Sequence, residues 1–240
     1  FLPAFGFYVI DDLDMSISLM YDRAILAQET VKGNYAIRSV YYSADMKTRL
    51  ENNHVLLTQV QEGLERNEFI YYLQPKVNLN TGKIVGLESL VRWNHPKYGV
   101  IPPGWFVPVL ERAGRICHVD VFVWRFVAEM LGRWEHEGRN LVPVSVNVSM
   151  MDINQMDVAD VIGGLLNEYN IDARLLQVEI TESAVAKNLP VVKDTIRKLH
   201  ARGIVVLMDD FGSAYSSLNM LKDINVDVIK LDTKFIELSE

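Results

Sequence analysis

Five oxygen-bearing side chains stand in otherwise apolar, strand-like segments of this 240-residue sequence: Glu88, Asn147, Glu179, Asp209 and Asp210. A charged side chain in such a segment is costly unless it is paired or bound to a metal ion. Hard divalent cations such as Mg²⁺ or Mn²⁺ prefer oxygen ligands, and neither histidine nor cysteine belongs to the set. The residue types therefore predict a magnesium or manganese site.

A structural salt-bridge cluster is the alternative to a metal site. Arg92, Lys230 and Asp232 also lie in or just after strand-like segments, and the two cations could neutralise the carboxylates. Such a cluster explains any single residue as well as a metal site does. It explains less well why polar residues recur at successive strand ends.

Strand-like and helical segments alternate along most of the chain. The strand-like segments are residues 69–75, 84–93, 143–149, 175–181, 204–210 and 226–232. Apolar stripes with helical spacing cover 119–134, 158–169 and 192–199. This alternation predicts an α/β fold with a parallel sheet and helices outside it. In barrels built this way, functional residues gather at the C-terminal ends of the strands.

The first two strand-like segments break the alternation, because only residues 76–83 separate them and Asn80-Thr81-Gly82 favours a turn. A parallel crossover needs a dozen or more residues, so we predict an antiparallel hairpin. The expected fold is a TIM-like (β/α) barrel whose first strand is antiparallel. We count six strands where a closed barrel has eight, and therefore expect a barrel truncated after about six strands.

The N-terminal residues have a different character. Residues 4–10 and 35–42 resemble strands, and the apolar spacing over 15–31 predicts a helix between them. So short a unit cannot bury a core alone, which makes residues 1–45 the expected trailing end of another domain. Residues 46–65 are predicted to form a connecting helix, and 66–240 the incomplete barrel.

The composition limits which binding partners and which cellular compartment we expect for the protein. The net charge of -7 argues against binding to a DNA or RNA duplex. No apolar run reaches the roughly 18 residues that span a bilayer, so no membrane segment is predicted. The single cysteine, Cys117, cannot form an intrachain disulfide and suits a cytoplasmic location, although the intact protein could be tethered to a membrane through other segments.

Six motifs in order resemble those of the EAL-domain family, the cyclic di-GMP phosphodiesterases. They are YLQP (72–75), GLESLVRW (86–93), SVNVS (145–149), VEITES (178–183), MDDFGSAYSSL (208–218) and VIKLD (228–232). The resemblance covers about residues 66 to 240. Residues 1–45 resemble the end of a GGDEF (diguanylate cyclase-like) domain, which implies such a domain upstream of the barrel.

The resemblance implies a role for each site residue. The five oxygen-bearing side chains would bind two divalent ions, Mg²⁺ or Mn²⁺, with Glu88 and Asp209 at the catalytic centre. Lys230 would orient the attacking water, and Glu182 would steady the Asp-Phe-Gly loop. The residues expected to contact the dinucleotide are Gln74, Leu90, Arg92 and Asp210.

The function implied by the resemblance is metal-dependent hydrolysis of cyclic di-GMP to linear pGpG by the intact protein, as a possible homodimer through the EAL domain. One alternative is a catalytically degenerate EAL module that binds cyclic di-GMP or a partner as a regulatory sensor. Another is an inactive remnant. The family's late acidic motif, Glu-Gly-Val-Glu, is absent before Glu240, so we expect the 240 residues alone to have little or no activity.

Overall fold

The computed structural model describes residues 4–10, 12, 15–31, 38–212 and 224–232. The chain divides into two compact units, Phe1–Gln61 and Glu62–Glu240. The division falls inside the helix that the sequence predicts as a connection. In the described ranges we find no helix with the length and hydropathy of a membrane span.

The first unit is a small strand–helix–strand arrangement. Its elements are β1 (Phe5–Phe7), α1 (Ile17–Val31), β2 (Ser39–Tyr41) and most of α2 (Ala44–Glu65). The two strands pair in parallel. Gly6 allows α1 to lie close to β1, because a Cβ atom there would collide with the backbone of Ala24 and Gln28. Residues 35–37, where the second strand was predicted to begin, lie outside the described residues.

The second unit contains a mostly parallel sheet. Its strands are β3 (Phe69–Val77), β4 (Ile84–His95), β5 (Gly99–Ile101), β6 (Val144–Val148), β7 (Leu176–Thr181), β8 (Val206–Phe211) and β9 (Val228–Leu231). The order in the sheet is β3-β4-β6-β7-β8-β9, and β5 pairs with β4. All neighbours from β4 to β9 along this order run parallel. The predicted α/β class is confirmed, and closure of the sheet into a barrel is not seen among the described strands.

The first pair of strands is antiparallel, as the short connection predicts. The side chain of Asn78 holds the turn, since its Oδ1 accepts hydrogen bonds from the backbone nitrogens of Asn80 and Thr81, both at 3.0 Å. Gly82 follows with a φ of 67°, a left-handed conformation that glycine adopts without strain. This hairpin sets Gln74 directly opposite Glu88.

Helices connect the parallel strands. They are α3 (Pro103–Arg112), α4 (Ile116–His136), α5 (Met150–Gln155), α6 (Val158–Glu168), α7 (Glu182–Lys187) and α8 (Leu189–Ala201), with a 3₁₀ turn at Ala173–Leu175. The three predicted helical stripes are confirmed as α4, α6 and α8, whose apolar faces are buried. Strand β5 and helices α3, α5 and α7 were not predicted from the sequence.

The short helices α5 and α7 begin directly at the ends of strands. Ser149 caps α5 by accepting a hydrogen bond from the backbone nitrogen of Asp152, while the Asp152 carboxylate accepts one from the nitrogen of Ser149. Thr181 caps α7 through the backbone nitrogen of Ala184. Such caps satisfy donors at the first turn of a helix, so the chain can leave the sheet abruptly at its C-terminal edge.

Behind this edge, α4 and α5 bring two carboxyl groups together. Asp120 of α4 is densely surrounded by protein and lies close enough to Asp152 of α5 for their negative charges to repel each other. Burial raises the pKa of Asp120 well above its usual range, and the charges of Asp152 and Glu111 raise it further. Burial and Asp152 likewise raise the pKa of the Cys117 thiol to about 12, which makes it unreactive near neutral pH.

We expect the free energy of unfolding to fall as the pH rises above about 4, because the unfolded chain releases the Asp120 proton there and the folded chain keeps it up to its raised pKa. Asp120→Asn should flatten this decline. Urea unfolding at about pH 5 and about pH 8 measures it. Asp172→Asn is the control. The hydrogen bond with Arg174 lowers the pKa of Asp172 to about 2, so this carboxyl group does not titrate between about pH 5 and about pH 8. An unchanged slope in Asp120→Asn would contradict the raised pKa of Asp120.

Candidate active site

The parallel strands place their C-terminal ends at one edge of the sheet. Register pairs Asn147 of β6 with Glu179 of β7, and Thr181 at the end of β7 with Asp209 of β8. Glu88 of β4 pairs with Ser145, two residues before Asn147. The strands therefore bring the predicted residues to neighbouring positions, as the fold class requires.

Three carboxylates converge on one ammonium group. The Nζ of Lys230 lies 2.8 Å from Glu88 Oε2, 2.5 Å from Glu179 Oε2 and 3.0 Å from Asp209 Oδ2. One oxygen atom from each carboxylate lies within 4.8 Å of the others. We call Glu88, Glu179 and Asp209 the carboxylate cluster. Its members come from three different strands, so the cluster depends on the assembled sheet.

The cluster is compensated by positive charge. Burial alone would raise the pKa of Glu179, but hydrogen bonds from Lys230, Lys76 and Ser145 outweigh it and lower that pKa. Burial would lower the pKa of Lys230, and its hydrogen bonds to Glu179 and Glu88 raise it instead. Glu179 is therefore a buried carboxylate that stays ionised.

The second cation, Lys76, was missed by the sequence analysis. Its Nζ donates to Glu179 Oε1 at 2.8 Å and to Ser145 Oγ at 2.7 Å. Ser145 is fully buried and donates to the same Glu179 oxygen at 2.5 Å. Alternation along β3 could have revealed Lys76, because it lies two residues after Gln74 and shares its face of the strand.

Lys76→Met is expected to lower the free energy of unfolding by about 1–3 kcal/mol, since it removes a charge-assisted hydrogen bond from a buried carboxylate. Millimolar Mn²⁺ should recover part of the loss if the cluster binds the ion, because the ion replaces the missing charge. Urea unfolding with and without Mn²⁺ tests this. The control is Lys198→Met, which removes an ion pair with Asp157 on the surface. Failure of Mn²⁺ to stabilise either variant would contradict a metal site at Glu179, and equal stabilisation of both would contradict the replacement of the Lys76 charge by the ion.

Asn147 lies in β6 and Asp210 in β8, on either side of β7 in the sheet, and both are exposed. The backbone oxygen of Asn147 accepts a hydrogen bond from Trp124 Nε1 at 2.9 Å, which fixes the end of β6 to helix α4. Asp210 has a φ of 57°. Burial raises its pKa, and so do the neighbouring charges of Asp209 and Asp232. Asn147 pairs in register with Glu179 and Asp210 directly follows Asp209, and their role as ligands stays a prediction.

Glu182 is fully buried at the start of α7. Its Oε2 accepts a hydrogen bond from the backbone nitrogen of Gly212 at 2.9 Å, and its Oε1 has no partner among the described residues. Glu182 thus holds the chain just after Asp210-Phe211. Residues 213–223, which follow the Asp-Phe-Gly triplet, lie outside the described part of the chain.

Three of the four residues predicted to contact the dinucleotide lie on β3 and β4, and the fourth, Asp210, lies in β8. Gln74 is exposed, and Leu90 and Arg92 are half-buried. The guanidinium of Arg92 lies 5.5 Å from the ring centroid of Tyr72, and its Nη1 donates to the Val91 carbonyl at 2.8 Å. Over the described residues, no carboxylate forms an ion pair with Arg92. Its charge is therefore available for an anion, and a guanidinium fits phosphate in a bidentate manner.

A divalent cation fits the carboxylate cluster. The ligands are hard oxygen atoms, and the space between them already holds a cation in the form of the Lys230 ammonium group. Mg²⁺ and Mn²⁺ are the ions that such an oxygen-only set prefers.

Comparison with known proteins identifies the domain. The family model described as the EAL domain matches residues 57–240. The chain belongs to the EAL-domain family. Among solved structures, the EAL domain resembles the Pseudomonas aeruginosa protein titled "PaMucR Phosphodiesterase, c-di-GMP complex", with a TM-score of 0.71 and 31% identity over 76% of this chain and 74% of that one. The FimX EAL domain of Xanthomonas citri, solved with c-di-GMP, shares the fold at 20% identity and a TM-score of 0.70, over 78% of this chain and 73% of that one.

Curated relatives are longer proteins. The full-length MucR of Pseudomonas aeruginosa, named a bifunctional diguanylate cyclase/cyclic di-GMP phosphodiesterase, is 29% identical over 82% of this chain and 29% of its own length. An uncharacterized Synechocystis protein is 30% identical over 92% of this chain and 32% of its own length. The chain spans a quarter to a third of the length of the relatives it matches.

Proposed function

We propose that this EAL domain is a metal-dependent phosphodiesterase that hydrolyses cyclic di-GMP to linear pGpG. The observation that carries the proposal is the carboxylate cluster gathered around Lys230 at the C-terminal strand ends. An anionic phosphodiester approaching such a cluster requires cations in between. The similarity to a phosphodiesterase solved with c-di-GMP supports the choice of substrate.

In the proposed mechanism Glu88, Glu179 and Asp209, with Asn147 and Asp210, would hold two divalent ions. Such ions polarise a phosphodiester and lower the pKa of water. Lys230 lies within hydrogen-bond distance of three carboxylates, so its ammonium group is positioned to orient the attacking water among them. Lys76 and Ser145 bind Oε1 of Glu179, while Oε2 accepts from Lys230.

The dinucleotide would bind beside the cluster. Arg92 supplies a guanidinium that is free to pair with a phosphate oxygen. The other predicted contacts are Gln74, directly opposite Glu88, Leu90, two residues further along β4, and Asp210 in β8. Glu182 would steady the chain after Asp210 through Gly212.

The test is incubation of the intact protein with cyclic di-GMP in Mg²⁺ or Mn²⁺, followed by chromatography of the products. We expect linear pGpG as the product and its formation to stop when the metal is chelated. Binding of cyclic di-GMP without cleavage in either metal would contradict the proposed phosphodiesterase activity and support the alternative function, a regulatory sensor.

We also infer that residues 1–45 are the C-terminal part of a GGDEF-like domain. The parallel strands β1 and β2 joined through α1 support this inference, as does the name of MucR, which combines both activities. A homodimer through the EAL domain and a cytoplasmic location are further proposals. Sedimentation of the purified protein tests the dimer.

A further inference from the structure

The two faces of strand β3 have different surroundings. Tyr71 points to the helices, since its ring lies 5.1 Å from that of Phe126 in α4. Lys76 points to the opposite side, where its ammonium group contacts Glu179. Side chains alternate along a strand, so Tyr72 lies on the same face as Lys76 and Gln74. Tyr72 therefore faces the side of the sheet on which the carboxylate cluster lies.

Tyr72 is displaced from the cluster along the strand. Gln74 pairs with Glu88, and Tyr72 pairs with Leu90, which is two residues closer to the C-terminal end of β4. Two residues of an extended strand span about 7 Å. The ribose that joins a base to its phosphate spans a comparable distance. A nucleotide whose phosphate lies at the cluster can thus place its base near Tyr72.

The ring of Tyr72 is half exposed, at 51%, although Tyr71 beside it is packed against α4. The Arg92 guanidinium lies over the ring at 5.5 Å and restrains its orientation by a cation–π contact. An exposed aromatic ring held in place by a cation suits the stacking of a base, which every nucleobase can provide through its π-face.

We propose that Tyr72 is a base-stacking residue for one purine of the bound cyclic dinucleotide, with Arg92 bridging the stacked ring and the phosphate. The inference rests on the proposed function, because it places cyclic di-GMP at the carboxylate cluster. It assigns Tyr72 to substrate binding rather than to the packing of the sheet. Neither the metal ligands nor the attacking water depends on it.

Calorimetric titration of the chain with cyclic di-GMP in Ca²⁺ tests the proposal. We expect Tyr72→Leu to weaken binding about tenfold or more, as loss of one stacked base does, and Tyr72→Phe to bind about as tightly as the wild type. Tyr98→Leu is the matched control. Tyr98 is also exposed and lies under a cation, Lys97, but its ring rests on His95, which packs against Trp93 away from the cluster.

A second readout reports on stacking itself. A cyclic dinucleotide that carries 2-aminopurine should lose fluorescence on binding to the wild type, and Tyr72→Leu should abolish most of that quenching. Unchanged affinity and quenching in Tyr72→Leu, or equal losses in Tyr72→Leu and Tyr72→Phe, would overturn the stacking role while the proposed function stands. A wild-type chain that does not bind cyclic di-GMP would refute the proposed function and the stacking role together.

Discussion

Asp209→Asn is expected to lower cyclic di-GMP hydrolysis by at least about 100-fold and to leave the fold intact. Asparagine keeps the Oδ1 atom that accepts a hydrogen bond from the Asp210 nitrogen, so the local backbone retains its contact. It removes one negative charge from the carboxylate cluster, where charge stabilisation at the reacting centre is worth on the order of 10²–10³ in rate. Turnover in Mg²⁺ and in Mn²⁺, together with thermal unfolding, measures both effects.

The matched control is Asp194→Asn, which removes an exposed carboxylate that pairs with Arg197 on helix α8. That variant should hydrolyse cyclic di-GMP at the wild-type rate. Ca²⁺ should bind the wild type and support little turnover, because its longer and looser coordination positions water poorly. Wild-type turnover by Asp209→Asn in Mg²⁺ would contradict its assignment as a ligand.

The carboxylates of the candidate site could be predicted from the sequence because charge is conspicuous in an apolar strand. Glu88, Glu179 and Asp209 each interrupt a β-run, and the parallel topology then places the strand ends at one edge. Lys76 was not predicted, since it stands in a polar connection before a turn. Only the assembled sheet shows that its side chain reaches Glu179, a residue 103 positions away in the chain.

The helices and strands can also be divided into those that the sequence predicts and those that it does not. Long elements with clear apolar periodicity, such as α4, were predicted because burial of one face determines them. The short helix α3 was not predicted. It starts at Pro103, which suits the first turn of a helix, but Pro108 within it is typical of a break in a helix. Helices α5 and α7 have six residues each and are capped by Ser149 and Thr181. Serine and threonine are also common in loops, so their presence alone does not predict a helix.

Arg92→Ala is expected to weaken cyclic di-GMP binding by about 10- to 100-fold and to leave Mn²⁺ affinity nearly unchanged. A hydrogen bond to a charged group contributes about 1.5–3 kcal/mol, and 1.4 kcal/mol corresponds to a factor of ten. Within the described structure Arg92 pairs with no carboxylate. Its removal therefore leaves no buried carboxylate without a partner, and the fold should persist. Calorimetry with cyclic di-GMP and, separately, with Mn²⁺ measures the two affinities.

The pattern of losses separates phosphate binding from metal binding. Arg139→Ala is the control, because Arg139 lies over the ring of Trp134 at 5.7 Å as Arg92 lies over Tyr72, but it pairs with Glu137 on the surface. Arg92→Lys should recover only part of the affinity, since an ammonium group cannot make the bidentate contact. Asp209→Asn should show the opposite pattern, with weakened Mn²⁺ binding. Equal dinucleotide affinity in Arg92→Ala and the wild type would refute the phosphate contact, whereas a matching loss of Mn²⁺ affinity would show that Arg92 acts by organising the cluster.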